Sequence, residues 1–258
     1  PHLFEINVAS GSAKDLFAGK PWSLSLGDPG SNDYAISPDG KEIAWVQQKD
    51  VTRLIDPSTL TLLTLKSRKT RTIDLGKMWL AAPAYSHDGA RVAVLAVPVD
   101  APSKHTRLMH VDLKTGQSRR LAAKWPRSVG TYGSANPAWS SDDKAILFCA
   151  EDSGVQHLWS LPLDASQPTA VVKGGHIMTF SQSKDGATTV YTVASIDHPA
   201  RLYSLTPAAP TRVGEASNAR RLDHTNAFLE KIPLGKWQSR SFKGWNDEPV
   251  QAFICYPP

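Results

Sequence analysis

Cysteine is nearly missing from these 258 residues: Cys149 and Cys255 are the only two. Two thiols cannot build the multi-bridge framework that staples a small secreted domain, and neither has the spacing of a metal knuckle. Each lies inside an apolar run, so both read as buried free thiols. Long hydrophobic runs are missing as well. No stretch approaches the ~20 apolar residues of a membrane-spanning helix, and no membrane partner is expected. The opening Pro1-His-Leu-Phe-Glu-Ile-Asn-Val has no initiator Met and no signal-like apolar core, and reads as the middle of a longer chain. A strong excess of one charge sign is also missing, since 29 Lys and Arg face 24 Asp and Glu. Nucleic-acid binding would need cations clustered on one face or interleaved with aromatics. The basic runs Lys66 to Arg71, Arg119-Arg120 and Arg220-Arg221 are short and lie beside strand ends or turns. They read as solvated charge, and no nucleic-acid partner is expected.

Catalytic motifs are missing in the same way. No Gly-x-Ser-x-Gly occurs; Gly130-Thr-Tyr-Gly133-Ser134 and Gly27-Asp-Pro-Gly30-Ser31 come nearest and have the wrong spacing. Without that sharp strand-to-helix turn, a serine hydroxyl has neither exposure nor an oxyanion hole beside it. Of the eight histidines, none sits in a His-Glu-x-x-His pattern, and most fall in turns or on strand faces. No catalytic residue, metal ligand or cofactor is therefore assigned within the chain.

What is present is a repeat. One half is a tight turn followed by an apolar run: Ser37-Pro-Asp-Gly-Lys-Glu-Ile-Ala-Trp-Val, Ser86-His-Asp-Gly-Ala-Arg-Val-Ala-Val-Leu, Ser140-Ser-Asp-Asp-Lys-Ala-Ile-Leu-Phe-Cys and Ser183-Lys-Asp-Gly-Ala-Thr-Thr-Val-Tyr-Thr. The first serines lie 49, 54 and 43 residues apart. Asp-Gly supplies the positive φ of a tight hairpin, and Ser and Asp side chains hydrogen-bond the turn backbone. Asp143 stands where the other copies have Gly, a tolerable substitute in that conformation. The other half alternates and then turns, as in Leu3-Phe-Glu-Ile-Asn-Val-Ala-Ser-Gly and Leu108-Met-His-Val-Asp-Leu-Lys-Thr-Gly, with weaker copies from Leu62, Leu158 and Leu202. Its period of two marks strands with unlike faces. Gly11 and Gly116 end it where positive φ is wanted.

A four-strand unit of this length is the size of one β-propeller blade. The expected fold is all-β: a propeller of four-stranded antiparallel blades, an incomplete ring of about four to five. A half unit at residues 1–18 precedes four full ones, and the pattern fades after Leu222. The propeller is expected over residues 1–235, starting in mid-blade.

The pairing of a Ser-x-Asp-Gly half with a Leu-x-x-x-Asp-x-x-Thr-Gly half resembles the repeat of TolB-like propellers and of the propeller in the prolyl oligopeptidase family of serine peptidases. The segment Leu222 to Lys236 resembles the final propeller strands of that family. Trp237-Gln-Ser-Arg-Ser-Phe-Lys-Gly-Trp-Asn-Asp-Glu-Pro-Val-Gln-Ala-Phe-Ile-Cys-Tyr-Pro-Pro resembles its crossover into the hydrolase domain, so residues 236–258 are expected as crossover strands. Gly244-Trp-Asn-Asp-Glu takes the turn in place of the usual Asp-Gly type. Bacterial dipeptidyl peptidases and acylaminoacyl peptidases look most similar. The resemblance implies an α/β-hydrolase domain following Pro258, carrying the Ser, Asp and His of a triad. It implies short peptides as substrates, a periplasmic or secreted setting, and room for a homo-oligomer. Relatives of dipeptidyl peptidase IV hold a substrate amino group with a Glu-Glu pair; no such dipeptide occurs here. The TolB resemblance implies instead a non-enzymatic module that binds protein partners.

With strands alternating in direction, the Ser-x-Asp-Gly and Thr-Gly turns share one face of the blades. The other face collects the irregular segments Gln47 to Pro57, Pro98 to Thr106, Ala122 to Asn136 and Glu151 to Gln156. Recognition usually resides in such loops. The aromatic and cationic stretch Lys124-Trp-Pro-Arg-Ser-Val-Gly-Thr-Tyr-Gly and the acidic pair Glu151-Asp152 nominate Trp125, Arg127, Tyr132, Glu151 and Asp152 as borders of a substrate cavity. Aromatics would pack the peptide there, and a carboxylate would pair with its free amino terminus.

Overall fold

The computed structural model describes residues 2–24, 33–48, 50, 52, 56–101, 105–130, 135–196, 198–206, 211–212 and 219–258. A two-strand hairpin opens the chain, β1 (Phe4–Ile6) with β2 (Ala13–Asp15). Four meandering units follow, the last two joined into one nine-stranded sheet by a parallel bridge between Gln156 and His176. The first is β3 (Tyr34–Ile36), β4 (Glu42–Gln48), β5 (Ser58–Thr64) and β6 (Thr70–Ile73). The second is β7 (Met78–Tyr85), β8 (Arg91–Pro98), β9 (Arg107–Asp112) and β10 (Ser118–Arg120). The third is β11 (Ala138–Trp139), β12 (Ala145–Asp152), β13 (Val155–Pro162) and β14 (Thr169–Lys173). The fourth is β15 (His176–Gln182), β16 (Thr189–Ser195) and β17 (His198–Leu205), then a short β18 (Thr211–Arg212) that pairs back to β14, and the unit's outer strand β19 (Ala219–Arg221). A final hairpin joins β20 (Lys236–Lys243) to β21 (Pro249–Tyr256) in full antiparallel register. The strands meander antiparallel within each unit, so the expected propeller-blade architecture holds.

The chain forms two compact units. One contains Pro1–Gly130, Asn136–Phe148 and Ser160–Pro168; the other contains Thr131–Ala135, Cys149–Trp159 and Thr169–Pro258. The division cuts the β12–β13 hairpin crosswise, leaving its tip with the second unit.

In the first unit β4 is buried on both faces, and its alternation decides which neighbour each residue meets. Ile43 and Trp45 join Leu16, Phe17, Leu24 and Leu63, which seats the N-terminal hairpin segment on the first blade. Ala44 and Val46 point the other way, joining Leu60, Leu62, Leu80, Val92, Val94 and Val111 between the first and second blades. Each fully buried Leu or Val in such a layer contributes roughly 1.5–3 kcal/mol.

The Ser-x-Asp turn is built identically four times. The Ser37, Ser86, Ser140 and Ser183 hydroxyls donate to the Asp two residues on, at 2.7, 2.5, 2.7 and 2.6 Å. Each hydroxyl oxygen accepts the backbone N–H five residues on, at 2.9 to 3.0 Å. Each Asp accepts a further backbone N–H at 2.9 to 3.1 Å. Gly40, Gly89 and Gly186 have φ of 69°, 69° and 72°, and Asp143 takes the same conformation at 56°. At the far end of the first three blades Leu65, Leu113 and Leu163 donate their N–H to the carbonyls of Lys41, Ala90 and Lys144, so the two short turns of each blade lie side by side.

These bonds set an acid limit. The Ser37 hydroxyl and the Lys41 amide hold Asp39 down at about 2. Asp142 and Asp185 are lowered in the same way, by Ser140 and Ser183 first. Carboxylates more acidic in the fold than in the open chain stabilise it above their unfolded pKa and lose that contribution as pH falls through the folded one. The urea midpoint is therefore expected to decline from about pH 4 towards about pH 2. A triple Asp39→Asn, Asp142→Asn, Asp185→Asn variant should show a flatter decline over that window.

Three expectations change. The Leu222 to Lys236 stretch, expected as final propeller strands, is extended chain with a 3-10 turn at Ala227–Lys231 entered through Asn226 at φ 60°. Its residues lack a period of two, and nothing there is buried. Cys149 is buried as expected, but Cys255 is exposed, because it lies on the open final hairpin. Glu151 to Gln156, expected as an irregular loop, is a two-residue turn with Ser153 and Gly154 at φ 55° and 77°, so Glu151 and Asp152 end a strand.

Candidate functional site

The nominated residues fall in both units. In the first, the chain reverses after β10 at Ala122, whose φ is 43°, and the Trp125 N–H closes that turn on the Ala122 carbonyl at 2.9 Å. The Trp125 ring is buried edge-on against Phe148 at 5.6 Å, so most of its surface serves packing. Arg127 follows, half-buried. The segment is then tied down where the Val129 N–H donates to the Thr106 carbonyl and the Thr106 N–H to the Ser128 hydroxyl, at 3.0 and 3.2 Å. Tyr132 lies outside the described residues. Glu151 is exposed and Asp152 half-buried in the second unit, where Asp152 accepts the Ser153 hydroxyl at 2.8 Å.

Directly after this acidic pair the second unit opens a cleft of about 870 Å³. Val155, His176, Ile196, Leu234 and Trp237 give it a largely apolar lining, and Ser195 and Gln238 add polar groups. Its walls need glycine. A Cβ on Gly154 would stand 2.6 Å from the Phe253 ring, and one on Gly175 would stand 2.5 Å from Val193 Cγ2, both at positive φ. The Gln251 side chain fastens β21 to the same turn by donating to the Ser153 carbonyl at 3.0 Å. Behind the lining, buried Gln156 donates its backbone N–H to the Gly175 carbonyl and its side-chain amide to the Ile177 carbonyl. His157 Nδ1 accepts the Gly174 N–H at 3.1 Å, which places the proton of its neutral ring on the other nitrogen.

The cleft combines an apolar lining with a few polar groups. Cys149 is a buried free thiol, and burial pushes it up to about 12. No group of three His, Cys, Asp or Glu able to hold a metal occurs among the described residues. Gly175, His176 and Ile196, which line the cleft, and Gln156 behind it were not nominated from the sequence, whereas the nominated Glu151 and Asp152 do not line it. The Gly174-Gly175-His176 string between β14 and β15 was the available signal.

No family model matches the chain. Over its whole length it is 27% identical to the dipeptidyl-peptidase 5 of Porphyromonas gingivalis, across 268 residues, and it spans 37% of that protein. Among solved structures, dipeptidyl peptidase 4 of Porphyromonas gingivalis matches 98% of the chain with a TM-score of 0.61 at 14% identity, and the chain covers 34% of it. TolB from Acinetobacter baumannii also matches 98%, with a TM-score of 0.58 at 14% identity, and 57% of it is covered. These structural likenesses show the propeller fold. The chain is similar to the propeller portion of dipeptidyl peptidases and covers only that fraction of them.

Proposed function

We propose that this chain is the propeller portion of a serine exopeptidase of dipeptidyl type, gating access of short peptides and forming part of the wall that binds them. The observation carrying this reading is the alignment of the entire chain with a dipeptidyl-peptidase. The final hairpin supports it. Trp237, Phe242, Phe253, Ile254 and Tyr256 are exposed on β20 and β21, and a two-stranded hairpin with apolar faces is marginal alone in water. An α/β-hydrolase domain packed on these strands would cover them and supply a catalytic Ser, Asp and His.

In this reading the apolar cleft receives the peptide's side chains, and Glu151 or Asp152 pairs with its free amino terminus. Trp125, Arg127 and Tyr132 of the Lys124 to Gly133 segment are further residues proposed to contact the peptide. An exposed carboxylate meeting an ammonium in a partly desolvated site contributes about 1–2 kcal/mol. In the complete enzyme Glu151→Ala is expected to raise KM for free-amine dipeptidyl substrates by about tenfold with kcat little changed. Unchanged KM would remove Glu151 from the site.

A second reading has its own observation, the match of 98% of the chain to TolB. A TolB-like module would bind a protein partner and cleave nothing. Stable capture of a folded partner by a protein without peptidase activity would favour it.

A further inference from the structure

The cleft of the second unit has two walls that come from different parts of the chain. Val155, His176 and Ile196 belong to the blades, whereas Leu234 and Trp237 come from the final hairpin and the chain leading into it. The cross-strand register sorts that hairpin into two faces. Trp237 opposes Cys255, Ser239 opposes Phe253 and Ser241 opposes Gln251. Side chains two apart on a strand share a face, so Trp237, Phe253 and Gln251 stand on one side, with Phe242, Val250 and Ile254 on the other. The first side meets the β12–β13 turn. The Phe253 ring edge lies over Gly154, where a Cβ would stand 2.6 Å from it. The Gln251 side-chain amide donates to the Ser153 carbonyl at 3.0 Å and to the Ser239 hydroxyl at 2.9 Å, which fixes it between turn and hairpin. Gly154 has φ 77°, a conformation that a side chain would strain as well as crowd. The turn therefore presents bare backbone, a carbonyl and a glycine face, to the hairpin.

We propose that Gln251 and Phe253 are positioning residues that latch the final hairpin onto the Ser153-Gly154 turn and so set the width of the cleft. Neither lines the cleft; they act through Trp237, which shares their face and forms part of the hairpin's wall. The contact is small, one amide hydrogen bond and one ring edge, so losing it displaces the hairpin and leaves the blades folded. The same turn follows Glu151 and Asp152 at the end of β12, so the latch also fixes the acidic pair relative to the Trp237 wall. That the cleft receives peptide side chains rests on the dipeptidyl reading above; the latch itself does not.

Two measurements on the 258-residue chain test the latch without any catalysis. Gly154→Ala and Phe253→Ala remove the same contact, so the double variant is expected to lower the urea midpoint by less than the sum of the single changes. In the second, fluorotryptophan replaces tryptophan and the Trp237 resonance is assigned with Trp237→Phe. Gln251→Ala and Gly154→Ala, neither of which deletes a ring, should move that resonance while those of Trp45 and Trp139 stay in place. A third measurement uses the chain continued through a hydrolase domain. Phe253→Ala should raise KM about threefold or more for dipeptidyl substrates with a bulky apolar side chain, change it little for glycine ones, and leave kcat within about twofold. Phe253→Leu should restore most of that loss. An inactive longer protein counts against the peptidase reading, and the first two measurements still decide the latch. Additive midpoints, or a Trp237 resonance unmoved by both variants, would overturn the latch; KM rising equally for bulky and glycine substrates would overturn its control of the cleft.

Discussion

Asp143→Ala is expected to destabilise the fold by about 2–4 kcal/mol. Asp143 occupies the position held by Gly in the other turns, at φ 56°, and its side chain is only 10% exposed. One carboxylate oxygen accepts the His87 backbone N–H and lies against the His87 ring nitrogen, both at 2.8 Å; the other accepts the Asp88 N–H at 2.9 Å. Arg91 donates to the Asp143 carbonyl at 3.3 Å. The turn of the third blade thereby clasps the turn of the second, work that a glycine could not do. Alanine removes the carboxylate yet keeps a Cβ at positive φ, which costs ~1–2 kcal/mol in that conformation. Asp143→Gly loses the same bonds without that strain and should be the milder change. Urea unfolding of both variants checks the order. Equal stability of Asp143→Ala and the parent, or a glycine variant worse than the alanine one, would contradict this role.

Trp45→Ala should cost about 3–5 kcal/mol. The residue is fully buried, with the Phe17 and Trp22 rings at 5.2 and 5.7 Å. It anchors the segment that carries the first hairpin, so the loss should appear locally as well as globally. Amide exchange in Phe4–Ile6 and Ala13–Asp15 is expected to rise more than exchange in Arg91–Pro98. Trp45 Nε1 is buried without an acceptor, an arrangement that already costs stability. Trp45→Phe removes that donor while keeping a ring, and should cost less than about 1.5 kcal/mol. A phenylalanine variant as unstable as the alanine one would mean that the indole N–H has a partner.

The blade pattern was legible because the Ser-x-Asp turn depends on its own side chains. Hydroxyl, carboxylate and positive φ all sit within six residues, so the motif survives where neighbours change, even with Asp143 replacing Gly. The Thr-Gly half was less legible. In the first blade Arg68 takes φ 56° and donates its N–H to Thr64, the role that Gly11 and Gly116 play in their hairpins. Its guanidinium reaches Glu5 at 3.2 Å, a long-range contact no local pattern announces. Of the nominated residues, Glu151 and Asp152 lie just before the cleft in sequence and do not line it. Their charges suggested a loop, whereas Ser153 and Gly154 permit a tight turn that keeps both residues in β12. Gln156, Gly175, His176 and Ile196 come from three separate connections, and each reads locally as strand or turn. Cys255 misled because its apolar run implies burial, and burial on a terminal hairpin depends on what packs against it.

The proposal that peptide is received here while bond cleavage resides in a following hydrolase domain is tested most directly by hydrolysis of a chromogenic dipeptidyl substrate. The assay compares the 258-residue chain with the same chain continued through that domain, each with and without a serine-directed phosphonate. The account predicts no hydrolysis by the chain alone, and dipeptide release by the longer protein that the phosphonate abolishes. Phosphonate-sensitive cleavage by the 258 residues themselves, or an inactive longer protein, would contradict it.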